Sequence, residues 1–234
     1  MASVPKPTRA FPRLSVIVAA SPEGGIGYAG KLPWRLRGDM KFFRQVTTQV
    51  PPSLDVEYTN AVIMGRKTWE SIPQTFRPLK NRVNIIVSRN RDLLQGTEYQ
   101  LGPSLHVCTS VDDALRYLAD TFPLRPSSSM PGDTALDPPA KEVKLHKVFV
   151  IGGEQIYRTV LSHPMCQYVF LTQVQPIRDN HSPAPSYDAF FGPLPAGFTQ
   201  QSHQRLVEVA GVKVPEGVQT EDNCTYEFTL WESS

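Results

Sequence analysis

Two kinds of hydrophobic pattern alternate along the chain. Short, nearly continuous apolar runs rich in β-branched residues occur at 14–20 (Leu14-Ser-Val-Ile-Val-Ala-Ala20), 60–64, 82–88, 105–109, 147–151 and 168–174. Such runs predict strands covered on both faces. Between them lie stretches of helical spacing. Over 38–48, Asp39, Phe43 and Val46 share one face. Ser110-Val-Asp-Asp113 resembles a capping box ahead of a helix over 114–120, and a Gly-Gly turn precedes a helix over 154–162. The tail at 205–209 and 225–231 predicts antiparallel strands. Strands alternating with helices imply an α/β fold: one domain with a central, mainly parallel β-sheet flanked by helices and closed by an antiparallel C-terminal hairpin.

Proline sharpens the boundaries. It accounts for 22 of 234 residues, about twice the usual ~5%. Ten of the 22 fall in 122–139 and 176–195, which predicts surface insertions near 122–145 and 176–195. Residues 1–12 predict a flexible segment, leaving 13–234 as the domain. The formal net charge is +2, and no basic stripe suggests nucleic acid. The first apolar run is too short to span a bilayer, and no signal peptide is read. Cys108, Cys166 and Cys224 have neither disulfide-framework nor zinc spacing, which suits a reducing, cytoplasmic setting and no metal.

Two glycine patterns mislead. Gly25-Ile26-Gly27-Tyr28-Ala29-Gly30 matches G-x-G-x-x-G, but Pro33 interrupts the helix that a dinucleotide fingerprint needs. Gly25 to Lys31 nearly matches a P-loop, yet Leu32 stands where a Ser or Thr must hold magnesium. A flexible loop explains these glycines better.

Four places carry chemistry. Asp39 lies in a helix first turn with Met40 and Phe43 nearby; an acid on an aromatic face suits a flat, nitrogen-rich ring, although a plain helix-start aspartate fits as well. Met64-Gly65-Arg66-Lys67-Thr68-Trp69 places two cations where a strand turns into a helix, which suggests phosphate, although a solvated basic turn fits as well. Ser88-Arg89 after a buried strand suits a ribose 2′-phosphate, which favours NADP over NAD, although taken alone an ordinary polar loop fits these residues better. Ile151-Gly152-Gly153-Glu154 opens another helix at an anion cradle.

In this order the motifs resemble the dihydrofolate reductases, over most of the chain from Leu14 to Trp231. The resemblance rests on Ile17-Val-Ala19, Gly25-Ile-Gly27, Leu32-Pro-Trp34, the 64–69 segment, Arg77-Pro-Leu-Lys80 with Arg82, Ser88-Arg89, Ile151-Gly-Gly153 with Tyr157, and Thr172. It implies NADPH-dependent reduction of 7,8-dihydrofolate to tetrahydrofolate. Asp39, Trp34 and Thr172 would form the catalytic group, with Asp39 bonding the pterin 2-amino group and N3. Ile17, Val18, Met40, Phe43, Ile151 and Tyr157 would contact the pterin. Ile72 and Leu79 would line the aminobenzoyl groove, and Arg82 would pair with the glutamate α-carboxylate.

For the cofactor the resemblance implies Ala19 and Ile26 at the nicotinamide, and Arg66, Lys67 and Thr68 at phosphates. Val87, Ser88 and Arg89 would take the 2′-phosphate side; Gly153, Glu154, Gln155, Ile156 and Tyr157 would take the pyrophosphate side. Residues 24–34 would form a mobile flap, and Gly152-Gly153 a cis bond. A monomer that binds antifolates is implied. The sequence departs from many eukaryotic members in having Asp39 rather than Glu, Cys108-Thr109 where an arginine is common, and two longer proline-rich stretches; these stretches, together with Leu32-Pro-Trp-Arg-Leu-Arg37, resemble fungal enzymes. The rival readings are a same-fold reductase of a riboflavin-pathway pyrimidine, a non-catalytic ligand-binding module, and a proline-rich interaction protein.

Overall fold

The computed structural model describes residues 13–122, 142–177 and 186–234. In chain order the elements are β1 (Leu14–Ala20), β2 (Gly25–Gly27), α1 (Arg37–Thr48), β3 (Val56–Gly65), α2 (Arg66–Ser71), a 3-10 turn (Gln74–Phe76), β4 (Arg82–Val87), β5 (Leu105–Cys108) and α3 (Val111–Thr121). Then come β6 (Glu142–Val150), α4 (Glu154–Leu161), β7 (Cys166–Pro176), β8 (Ala189–Phe190), β9 (Phe198–Gln200), α5 (His203–Ala210), β10 (Gln219–Glu221) and β11 (Cys224–Ser233). The main sheet runs β10-β11-β7-β1-β6-β3-β4-β5, with β9 also on β11. Pairs from β7 to β5 are parallel, and β11 is antiparallel to β7.

Alternation along the strands divides the core between two faces. On one side Ala61, Ile63 and Val83 meet Ala114 and Leu118 of α3 and Val160 of α4. On the other, Val62, Met64 and Phe170 meet Phe42 and Val46 of α1, Trp69 of α2 and Leu206 of α5. This two-sided burial is why the central strands are apolar almost throughout. The Ser110 hydroxyl accepts from the Asp113 N–H at 3.0 Å, so α3 starts at the cap read from the sequence.

Three expectations are corrected. Residues 205–209 are not a strand; they belong to α5. Ser202 caps its start by accepting from the Arg205 N–H, and Gly211 closes it at φ 70°. Leu206 and Ala210, one turn apart, are both buried, a spacing that the local Leu-Val-Glu-Val alternation concealed. The hairpin partner of β11 is instead β10.

The stretch 176–195 is not wholly a surface insertion. Its described part includes β8, which pairs with β2, and Phe191, which is buried. Likewise the flanks of 122–145 are structured: Phe122 is buried and β6 begins at Glu142. Residues 1–12, 123–141 and 178–185, on which the remaining loop expectations fall, lie outside the described residues.

Candidate active site

A cleft of about 1850 Å³ crosses the carboxyl ends of β3, β4, β5 and β6, where open α/β sheets hold ligands. It gathers residues scattered along the sequence. Ile17, Val18, Ala19 and Ile26 meet Asp39, Met40 and Phe43 at one end, with Ile72, Leu79 and Arg82. Arg66, Lys67, Thr68, Val87, Ser88 and Arg89 line the same cleft, as do Ile151, Gly153, Glu154, Gln155, Ile156 and Tyr157. Two expected site residues do not line it. Thr172, buried on β7 between Ala19 of β1 and Phe228 of β11, stands behind Asp39. Trp34 is buried in the core cluster that holds Ile17, Leu36 and Phe42, and among the described residues its indole Nε1 has no hydrogen-bond partner.

Asp39 is held by its helix. The Thr172 hydroxyl donates to Asp39 Oδ1 at 2.7 Å. Burial pushes the Asp39 carboxyl up from 3.8 to about 6; the Thr172 bond opposes the rise and the Glu221 charge adds to it. The helix itself is anchored at both ends. At its start, Glu221 of β10 accepts from the Arg37 N–H at 2.6 Å and the Gly38 N–H at 2.9 Å. At its end, the buried Asn60 amide donates to the Thr47 and Gln49 carbonyls. Both contacts satisfy backbone groups that a helix leaves open.

Arg82 shares that scaffold. Its Nη1 donates to Thr47 Oγ1 at 2.6 Å, its Nε donates to the Lys80 carbonyl, and its guanidinium lies over Phe43. Among the described residues it has no carboxylate partner within ion-pair distance. Burial, with Arg44 nearby, lowers it to about 10, so it stays charged at neutral pH. A buried, charged guanidinium beside a cleft is suited to an anionic ligand.

The other end of the cleft has the chemistry to suit phosphate. The Gly152–Gly153 peptide is cis, as is Arg77–Pro78. The Gly65 N–H donates to the Gly152 carbonyl at 2.7 Å, bringing the two βα turns side by side. A Cβ on Gly153 would sit 3.2 Å from Thr68 Oγ1, and one on Gly65 3.2 Å from Ile156 Cγ1. Side chains at these glycines would hold the two turns apart; as it is, Gly65, Gly152 and Gly153 line the cleft between Arg66, Lys67 and the start of α4. Glu154 at that start is neutralised by Arg158 at 2.7 Å and accepts from the Phe190 N–H. The buried Ser88 and exposed Arg89 follow β4. Cations, free backbone and a hydroxyl in this order fit NADPH, including its 2′-phosphate.

The glycine loop is packed from across the chain. Asp188 Oδ2 accepts from the Ala29 N–H at 2.8 Å, and the Phe191 N–H donates to the Gly24 carbonyl. A Cβ on Gly25 would overlap the Tyr187 ring. Sequence reasoning missed Asp188 and Tyr187, as it missed Glu221, Asn60 and Thr47. All five act from beyond any local periodicity. Gly38 alone left a trace: a glycine inside a helix start, where a Cβ would overlap the Tyr226 hydroxyl.

A mainly parallel sheet with an acid at one end of such a cleft, and cations beside two glycine turns at the other, suits a nucleotide-dependent reductase. The family model "Dihydrofolate reductase" matches residues 13–125. The dihydrofolate reductase of Pneumocystis carinii is 36% identical over 93% of this chain and 95% of its own length. That of Candida albicans is 33% identical over 94% and 97%. The solved Schistosoma mansoni dihydrofolate reductase superposes with a TM-score of 0.64 at 27% identity, covering 96% of this chain and 100% of its own. The chain belongs to the dihydrofolate reductase family, whose reaction is the NADPH-dependent reduction of dihydrofolate to tetrahydrofolate.

Proposed function

We propose that this cleft reduces 7,8-dihydrofolate to tetrahydrofolate with Asp39 as the group that binds and polarises the pterin. The observation that carries the reading is the half-buried Asp39 carboxylate, braced by Thr172 and facing the cleft beside Phe43. It is the acidic side chain at that end of the lining. NADPH supplies the hydride for pterin C6. The chain's residues must do the rest: accept the 2-amino and N3 protons at Asp39, pack the ring on Phe43 and Ile17, and raise the proton affinity of N5 so that water can protonate it. Ile72 and Leu79 lead from the pterin end to Arg82, which would pair with the glutamate carboxylate.

Arg66, Lys67 and Thr68 would hold the cofactor phosphates, Ser88 and Arg89 the 2′-phosphate, and residues 153–156 the pyrophosphate. A monomer acting in the cytoplasm, open to antifolates at the same site, suits the three free, buried cysteines. Among the described residues no helix is long and apolar enough to cross a membrane. A riboflavin-pathway pyrimidine is the less fitting substrate, because the relatives that match this chain over nearly its whole length are dihydrofolate reductases. Mixing the protein with NADPH and dihydrofolate should deplete the reduced-nicotinamide absorbance. Turnover of a ribosylamino-pyrimidine in place of dihydrofolate would overturn the proposal.

A further inference from the structure

The start of α1 has no side-chain cap of its own: Leu36 occupies the cap position. Three N–H groups open the helix before the Met40 N–H reaches the Leu36 carbonyl. The first two, from Arg37 and Gly38, are taken by Glu221, which stands 184 residues from Arg37. The Tyr226 hydroxyl donates to Glu221 Oε2 at 3.4 Å. Gly38 is what permits the approach, because a Cβ there would overlap that hydroxyl and lie 3.4 Å from Glu221 Oε2. The next residue is Asp39.

We propose that Glu221 is a positioning residue of the reductase: from the C-terminal hairpin it caps the helix that carries Asp39 and directs the positive helix end onto itself instead of onto the Asp39 carboxylate. This inference rests on the reading of Asp39 as the substrate-polarising acid. Its physical basis is that an open helix start favours a nearby anion. An uncapped α1 would turn its open N–H groups toward Asp39 and make it less basic, although burial would still hold it above the usual carboxylate range. With Glu221 in place, the two N–H groups are occupied and a second negative charge stands near. Glu221 therefore adds to the rise that burial already gives the Asp39 carboxyl, and a basic carboxylate is what bonding the N–H groups of a pterin asks for.

Among the described residues, the titratable groups that interact electrostatically with Asp39 are Glu221 from β10, Tyr226 from β11 and Tyr157 from α4, and the Arg37 charge at the start of α1 acts on Glu221. Both tyrosines are pushed up by burial, so they stay neutral while Asp39 titrates. Glu221 is held below the usual carboxylate range by the Gly38 and Arg37 N–H groups, so it stays ionised.

The test follows the Asp39 carboxyl carbon by NMR in the full-length protein while pH is varied. Glu221→Gln is nearly isosteric and can still accept one N–H. Its Asp39 midpoint should fall by about half a pH unit, and the matching inflection in kcat/KM for dihydrofolate should move down with it. Glu221→Asp, which keeps the charge but draws it back, should give a midpoint between wild type and Gln, and it carries the test if the Gln variant does not fold. A cap of purely structural value would lower thermal stability and leave the midpoint where it was, which overturns the inference. Asp39→Asn separates the two ideas. If that variant is inactive and the Glu221 variants leave the midpoint unmoved, only the role of Glu221 falls. If Asp39→Asn is fully active at neutral pH, the reading of Asp39 falls, and with it the reason for tuning Asp39.

Discussion

Thr172 Oγ1 donates a 2.7 Å hydrogen bond to Asp39 Oδ1 across 133 residues of sequence, joining the middle of β7 to the first turn of α1. The bond favours the ionised carboxylate, and burial of Asp39 disfavours it more strongly. Thr172→Val keeps the shape and removes the donor. A hydrogen bond to a charged group contributes about 1.5–3 kcal/mol, so the Asp39 midpoint should rise from about 6 by about 1–2 pH units. A pH profile of kcat/KM for dihydrofolate checks this; an unmoved inflection would show that the bond does not govern Asp39.

Keeping that acid ionised should destabilise the fold. An Asp whose pKa is raised in the native state is most favourable when protonated. Stability is therefore lost as pH climbs from the unfolded value of 3.8 to about 6. Asp39→Asn cannot ionise and escapes the loss. It should match wild type near pH 3.8 and exceed it above pH 6 by about 1–3 kcal/mol, discounted for partial exposure. For a chain of this size each kcal/mol moves Tm by about 2–4 °C. The same variant should lose most reductase activity at neutral pH and recover partly in acid, where dihydrofolate protonates itself. Thermal melts at both pH values, beside activity, measure this trade of stability for function. A variant less stable than wild type above pH 6 would contradict it.

Which parts of this machinery were legible in the sequence follows from the range of the interactions. β1 was readable to its ends because Leu14–Ala20 is buried almost throughout. The Ser110 cap and the turns at Gly65 and Gly152-Gly153 were readable because their chemistry is completed within a few residues. Phe43 lines the cleft, whereas its neighbour Phe42 is the α1 aromatic packed on Phe170 and Phe228. Two adjacent phenylalanines do not announce which faces the core and which the cleft. α5 was misread because Leu206 and Val207 look alike without knowledge of which is buried. Glu221, Asn60 and Asp188 were invisible for a stronger reason. Each serves backbone groups of another element, and an exposed-looking acid or amide carries no mark of such a partner.

At the cofactor end, Arg89→Leu should separate NADPH from NADH. The guanidinium is exposed beside the buried Ser88, whose Oγ already accepts from the Asn90 N–H at 3.1 Å. Ser88 thus shapes the turn, while Arg89 remains available for an added phosphate. Losing one charge-assisted contact of about 1.5–3 kcal/mol should raise KM for NADPH by about 10- to 100-fold and leave KM for NADH within about threefold. Steady-state kinetics with the two cofactors is the measurement. Equal losses for both would place the 2′-phosphate elsewhere.

Arg82 gives the sharpest test of the substrate. Its position is set by Thr47 Oγ1 and the Lys80 carbonyl, so the guanidinium is oriented before any ligand arrives. Preorganisation of this kind makes a carboxylate contact worth more than one formed by a free side chain. Arg82→Leu should raise KM for dihydrofolate by about 10- to 100-fold, with a smaller change in kcat, because the glutamate end is remote from the reacting C6. A dihydropterin without the glutamate tail should be reduced by wild type and variant with KM values within about threefold. Arg82→Lys retains the charge but not the planar fork, and its KM for dihydrofolate should lie between the two. If the tail-less pterin loses as much as dihydrofolate, Arg82 supports α1 through Thr47 and does not hold the substrate's carboxylate.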